Sequence, residues 1–425
     1  MSSLLVAGIP VDFTRILQQR QLSGRHAQPL RWLVMGIRQA LSAWHPGTIL
    51  DILVPIIHEG VGRIESGSKS DLSPSWFEDV TGEPVRIVGV GFSEGDCPNY
   101  RQRTELLRGC GELAGKQVLR GLWQQLLAFW SHRNFFLLEF GLRCEPYAAL
   151  FRAARTHSYV TTEAGGFPES PVVALARAMG LRTVRWSYGQ NIALWGEEKP
   201  LLPAFRWPEV REVWVWSEEI KMMAIQQCEV YGVNFKVTGP LMMGDATSWL
   251  TSPPHPSTIG LIDTPPVPNG KSPLTVAFAA AWYKDMHAVV RHWPHWTFLF
   301  KEKARPGRFV CPERRALCAE PNVQVLKGTA NPWEVVGRSN LVIGMPFASP
   351  VVAARAYGRQ GLFHDPLGVV VTYPWRDVVM THGRGDVLRW VTEWIETKSL
   401  RPSAYTIPQR LPLDQARAAW AGATG

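Results

Sequence analysis

The sequence predicts an α/β protein with two Rossmann-like domains facing a cleft. Three observations predict it. Short apolar runs alternate with helical patterns from Ser158 to Thr238, and again from Thr258 to Pro366; such alternation with short connections makes a parallel, doubly wound sheet. Between the two series, Gly239–Ser257 carries Gly, Pro, Thr and Ser with little periodicity, the composition of a linker. A chain of 425 residues also exceeds what one core usually serves. The boundaries that follow are a first domain over 1–238, a linker over 239–257 and a second domain over 258–425.

Taken in order, residues up to Asn99 carry mixed signals: helical spacing over Leu30–Trp44, an apolar β-branched run at Thr48–Ile57, a polar loop at Glu65–Glu83 and a strand at Val85–Val90. Arg103–Ser131 is a long helical pattern with Leu106, Leu107, Leu113, Val118, Leu119, Leu122, Leu126 and Trp130 on or near one stripe. Phe135–Phe140 reads as a strand and Arg143–Arg155 as a helix. The first alternation then runs strand Ser158–Thr162, helix Glu169–Met179 stopped by Gly180, strand Arg182–Ser187, strand Glu212–Trp216, helix Ser217–Tyr231 capped by Ser217, and strand Phe235–Thr238.

The second alternation opens with strand Thr258–Asp263, helix Pro273–Trp293, strand Thr297–Lys301 and strand Asn322–Leu326. The densest signal follows. Asn340–Gly344 is wholly apolar, as a strand buried on both faces would be. Pro346 stops it, Met345–Ser349 turns, and a helix starts with Ser349 at N-cap and Pro350 in the first turn. Val351, Val352, Ala353, Ala354 and Ala356 give that helix a small apolar face, Gly358 ends it, and Gly361–His364 is a strand closed by Asp365–Pro366. Gly385–Lys398 is amphipathic, with Val387, Leu388, Val391, Trp394 and Ile395 on one face.

Apolar residues make up 46% and charged residues 19%, which excludes wholesale disorder. The net charge of +9 points to nucleic acid, an anionic membrane surface or anionic small substrates. Nucleic acid falls away, because Lys and Arg are dispersed and no recognition motif appears. The six cysteines show neither CxxC spacing nor His partners at metal-ligand intervals, so reduced thiols and a cytoplasmic location are expected. Met1–Pro10 lacks a basic region before its apolar run and no window reaches the ~20 apolar residues of a spanning helix, so the expected membrane contact is peripheral, at the inner membrane.

In an open parallel sheet, ligands bind beyond the carboxyl ends of the strands. In the second domain the residues there are Asp263, then Lys301 with Lys303 and Arg305, then Ser349, then His364. Alternating cations after one strand suit phosphate oxygens, and a helix N-terminus offers backbone N–H groups and a positive dipole end. The plainer readings are a solvated strand end, a helix cap, a turn former at Asp263 and polar filling at His364. Asp365-Pro366 reads as a turn. In the first domain, Glu163 ends a strand beside Gly165 and Gly166, which allow close backbone approach. Its alternative is a turn residue paired with Arg182 or Arg185. Tyr188, Gln190 and Asn191 follow the next strand as hydrogen-bonding groups. Neither GxGxxG nor GxxxxGK[ST] occurs, which removes dinucleotide enzymes and P-loop ATPases. With no convincing DxD loop or His/carboxylate cluster, neither a metal nor a cofactor is expected.

Met345-Pro346-Phe347-Ala348-Ser349-Pro350, a small-residue helix and then Phe363-His364-Asp365-Pro366 resemble the signature of bacterial surface-polysaccharide biosynthesis proteins named for a Pro-Phe-Thr-Ser motif. Ala348 stands where that family has Thr. The resemblance covers the C-terminal half and implies the two-domain GT-B fold of nucleotide-sugar glycosyltransferases. It implies that the second domain holds a nucleotide-sugar donor, with a lean to a CMP-linked acidic sugar such as Kdo or a sialic acid, and that the first holds a glycan or glycolipid acceptor. Glu163 would then be the catalytic carboxylate, as base or nucleophile. The Ser187–Asn191 segment resembles the Gln-His-Gly loops of such transferases, with Tyr188 in the place of His. The Gly385–Lys398 helix would be the one that crosses back onto the first domain. A nucleotide-sugar epimerase of the same fold and a noncatalytic scaffold of polysaccharide assembly are the alternatives.

Overall fold

The computed structural model describes residues 3–17, 119–130, 133–153, 158–161, 171–186, 208–239, 253–264, 274–301, 311–326, 332–346, 348–370, 378–397 and 412–421, with single positions 27, 29 and 266. The expected elements between residues 30 and 99 lie outside these.

The chain opens with an antiparallel hairpin, β1 (Ser3–Val6) and β2 (Ile9–Asp12). Its turn, Ala7-Gly8, has φ of 48° and 80°, the left-handed pair whose twist suits a two-residue hairpin. The strain at Ala7 is held from outside. Its N–H donates to Glu145 Oε1 at 3.0 Å and its carbonyl accepts from Arg152 Nη2 at 2.8 Å. Both residues belong to α1 (Phe135–Ala153). Residues 119–130 form a helix beside it, where Gln125 Nε2 donates to Leu5 O and to Glu145 Oε1. Burial pushes the Glu145 carboxyl upward, against the bonds from Gln125 and Ala7. The strand expected at Phe135–Phe140 is instead the first third of α1. Leu137 through Glu145 are buried without a break, so no polar face remained to show a helical period.

Four parallel strands follow: β3 (Ser158–Thr161), β4 (Arg182–Trp186), β5 (Glu212–Val215) and β6 (Asn234–Val237), paired in that order. Among the described residues two helices lie between them, α2 (Pro171–Ala178) and α3 (Glu218–Gln227). Ser217 caps α3, accepting from Ile220 N, and Glu218 and Glu219 sit in its first turn as the dipole favours.

The second sheet has six parallel strands: β7 (Thr258–Ile262), β8 (Thr297–Lys301), β9 (Val323–Leu326), β10 (Leu341–Gly344), β11 (Gln360–Asp365) and β12 (Val379–His382). Across the sheet they run β9-β8-β7-β10-β11-β12. The chain thus winds outward from β7 in one direction and from β10 in the other, the dinucleotide-fold order. Among the described residues five helices belong to this half: α4 (Val276–His292), α5 (Pro312–Cys318), α6 (Pro332–Arg338), α7 (Ser349–Ala356) and α8 (Gly383–Thr397). Alternate residues divide between two cores. Ile259, Leu261, Phe298, Phe300 and Ile343 face α4 and α8, whereas Ile262, Leu299, Val342 and Phe363 join the core of α6 and α7. The strand β12 and helices α5 and α6 have no counterpart in the sequence reading.

Glycine lets α7 lie close on the strands. A Cβ at Gly361 would stand 2.3 Å from the Val351 carbonyl oxygen, and one at Gly344 2.6 Å from Val351 Cγ2. The small apolar face expected for this helix is therefore matched by missing side chains on the sheet.

The two halves meet through aromatic rings: Trp216, just past β5, packs 6.1 Å from Trp333 of α6. The helix that returns to the first sheet is α9 (Leu413–Ala421), not Gly385–Lys398. Arg182 donates to Trp420 O at 2.8 Å and stacks 3.8 Å above its indole, and Lys236 Nζ donates to Ala419 O. By contrast α8 stays in the second half, with Trp394 against Trp296 at 5.8 Å. Its apolar face is used up on its own domain.

Candidate functional site

Strand order reverses between β7 and β10, and in open α/β sheets ligands bind beyond the carboxyl ends of the strands at such a reversal. The backbone holds the two ends together just beneath. Met345 N donates to Ile262 O at 3.2 Å, and Thr264 N donates to Met345 Sδ at 3.3 Å. Asp263 leaves β7 on one side of this point and α7 begins on the other.

The start of α7 differs by one residue from expectation. Ala348 is the N-cap, extended at φ −66° and ψ 113°, and Ser349 is the first helical residue with Pro350 behind it. Ala348 has no hydroxyl, so the N-cap residue makes no side-chain cap bond. The positive end of the helix dipole is directed at the same place as the ends of β7 and β10.

Asp263 is mostly buried, and the hydroxyl of Tyr283 on α4 donates to its Oδ2 at 3.1 Å. Burial and the neighbouring Asp263 carboxylate push the Tyr283 phenol far up, so it remains a proton donor. Thr275 caps α4 and thereby sets Tyr283 in register, accepting from Phe278 N at 3.1 Å. Lys301, the last residue of β8, lies opposite Ile262 in the ladder, so its backbone is one residue from Asp263. Asp263, Lys301 and Ser349 are thus at neighbouring strand ends on one edge. Lys303 and Arg305 lie outside the described residues, as does Phe347.

His364 sits differently. Its ring is wholly buried, with Nδ1 at 3.0 Å from Thr381 Oγ1 and Nε2 at 3.1 Å from Asp285 Oδ2. Asp285 Oδ1 in turn accepts from Arg384 Nε at 3.0 Å. Both ring nitrogens are therefore engaged inside the fold, and His364 supports α4 rather than the strand edge. Asp365 behaves as a turn former, accepting from Leu367 N at 3.1 Å and Val370 N at 2.7 Å. Sequence reasoning missed Tyr283, Asp285 and Arg384. The first two fall mid-helix at i and i+2, positions that share no face, so no local pattern marked them.

On the first domain, Glu163, Gly165, Gly166, Tyr188, Gln190 and Asn191 lie outside the described residues. Arg182, one of two partners expected for a structural Glu163, is otherwise occupied. It grips Glu212 with two bonds, 2.7 and 3.0 Å, at the amino edge of the sheet. Among the described residues, no group of three or more His, Cys, Asp or Glu side chains is arranged to hold a metal ion.

A family model described as polysaccharide biosynthesis PFTS motif protein matches residues 128–391, more than half of the chain. Comparison with curated proteins gives no match. Among solved structures, Os79 from O. sativa in complex with UDP and deoxynivalenol-3-glucoside is similar at TM-score 0.44 and 14% identity, over 70% of this chain and 86% of that one. A putative UDP-N-acetylglucosamine 2-epimerase from Listeria monocytogenes gives 0.43 and 10%, over 65% and 75%. The MnaA–UDP structure from S. aureus gives 0.42 and 8%, over 76% and 85%.

Proposed function

The chain belongs to the family of polysaccharide biosynthesis PFTS motif proteins, and on that premise we propose that it is a metal-independent glycosyltransferase of GT-B type. The second domain binds a nucleotide-activated sugar, and the first presents a glycan or glycolipid acceptor. The observation that carries this reading is the reversal of strand order between β7 and β10, with Asp263 following β7 and the N-terminus of α7 following β10.

In this account the start of α7, with Lys301, Lys303 and Arg305, receives the diphosphate or monophosphate and neutralises charge as it departs. Asp263, fixed by Tyr283, accepts from a ribose or base hydroxyl or amine. His364 acts at one remove, holding Asp285 and thus α4. Glu163 is the acceptor-side carboxylate, and Gln190 and Asn191 bind sugar hydroxyls. The donor inclines to a CMP-linked acidic sugar, with a UDP- or GDP-sugar next. A nucleotide-sugar epimerase is the second reading, which the same nucleotide site equally supports.

Incubation with a panel of nucleotide sugars, followed by product analysis, tests it. A transferase yields free nucleotide only when an acceptor glycan is present, and an epimerase changes the sugar without one. Absence of either product across CMP-, UDP-, GDP- and CDP-sugars would leave the scaffold reading in place of both.

A further inference from the structure

We infer that the helix over residues 119–130 is a membrane-docking face that inserts its outer stripe into the interface of an anionic lipid surface. The helix buries one side and exposes the other. Leu122 and Gln125 are buried toward β1 and α1. Trp123, Leu127 and Trp130, spaced i, i+4 and i+7, form a second stripe that is 62%, 53% and 76% exposed. Two exposed tryptophans on one helical face are costly in water, and their amphipathic rings suit the boundary between headgroup and acyl chain.

The surroundings select the occupant. Leu5, whose carbonyl is tied to Gln125 of this helix, is 63% exposed, and Phe135 at the start of α1 is 58% exposed. The Phe135 ring lies 4.9 Å from that of Phe129 on the 119–130 helix, so exposed apolar surface continues beyond the stripe. Arg120 and Arg133, at the two ends of the stripe, are exposed cations, and the chain carries a net charge of +9. An apolar centre framed by cations on a basic protein is complementary to a negatively charged bilayer. Among the described residues no helix is long and apolar enough to cross a membrane, so the contact is interfacial. This places the first domain, the acceptor side in the reading above, against the lipid.

Co-sedimentation of the full chain with phosphatidylcholine vesicles, with and without phosphatidylglycerol, tests the inference and involves no nucleotide, so it stands or falls apart from the glycosyltransferase reading. The expected result is binding that requires phosphatidylglycerol and weakens with salt. Trp123→Ser with Trp130→Ser should reduce it by at least about tenfold at unchanged melting temperature, and Arg120→Glu with Arg133→Glu should abolish the phosphatidylglycerol preference. Failure of the wild type to sediment, or equal binding by the tryptophan variant, would overturn the inference. So would a melting temperature lowered by several degrees in that variant, or a change in its oligomeric state. Those outcomes would mean that the stripe is covered by the chain itself or by a second copy.

Discussion

Tyr283 donates its hydroxyl to Oδ2 of Asp263 across 3.1 Å, which fixes the first carboxylate beyond β7 beside the point where strand order reverses. The bond joins the middle of α4 to the candidate ligand edge, so packing and binding are coupled there. Tyr283→Phe keeps the ring and removes the bond. It should cost about 0.5–1.5 kcal/mol of stability and weaken nucleotide binding severalfold. Urea unfolding and calorimetric titration on one preparation read both.

The same phenol gives a pH dependence. Its folded value is raised above the ordinary 10.0 by burial first and then by Asp263. A proton held in the folded state and released in the unfolded one means that this stability is fully present below pH about 10 and is lost as pH rises above it. Wild type should therefore lose stability more steeply than Tyr283→Phe in the alkaline range. Parallel slopes would remove Tyr283 from the account.

Gly361→Ala should be among the most damaging single-methyl changes, because the added carbon meets the backbone oxygen of Val351 at 2.3 Å. Either α7 lifts or β11 bends, at about 1–3 kcal/mol or more. Gly358→Ala meets nothing within 4 Å but must hold φ at 70°, so it should cost about 1 kcal/mol through backbone strain alone. Thermal melts of the pair separate close approach from conformational need.

That unit was the most legible part of the sequence. The apolar run ending at Gly344, Pro346 and Gly358 each mark a boundary by local chemistry, and all three hold. The cap slipped by one residue, from Ser349 to Ala348, because Pro350 fits the second helical position as well as the first. The opposite case is α1, where continuous burial erased the helical period. Long-range pairs were invisible for a simpler reason. Arg182 and Trp420 lie 238 residues apart, and Gln125 and Glu145 share no local pattern. The site was legible to the extent that it follows strand ends, as Asp263, Lys301 and the α7 start do. His364 instead lies within β11, and its side chain reaches Asp285 of α4, a matter of the strand's alternation rather than its end.

Arg182→Ala should loosen the return of α9. Burial alone would raise the Glu212 carboxyl, but Arg182 and Lys236 together hold it below its ordinary value. A depressed carboxylate contributes stability that is present above its unfolded value near 4.5 and is lost as pH falls below it. Breaking this mostly buried pair should cost about 3 kcal/mol at pH 7, with Lys236 sparing part of the full penalty. It should also flatten the acid limb of the stability profile. Chemical denaturation at pH 7 and pH 4 gives both readings.

Glu163→Gln keeps shape and removes the charge of the proposed acceptor-side carboxylate. Donor binding and melting temperature should stay close to wild type while turnover falls by about 10²–10⁴-fold. A structural Glu163 would give the reverse pattern, a lowered melting temperature with turnover per folded molecule little changed.

The proposed nucleotide phosphate sits where β7, β8 and α7 converge. Isothermal titration of CMP, UDP, GDP and CDP into wild type and into the Lys301→Ala, Lys303→Ala double variant tests it most directly. Wild type should bind one nucleotide class selectively, and the double variant should lose at least about tenfold in affinity, as expected for a missing charge-assisted bond. Equal affinity in the two proteins, or no nucleotide bound by wild type at millimolar concentration, would contradict it.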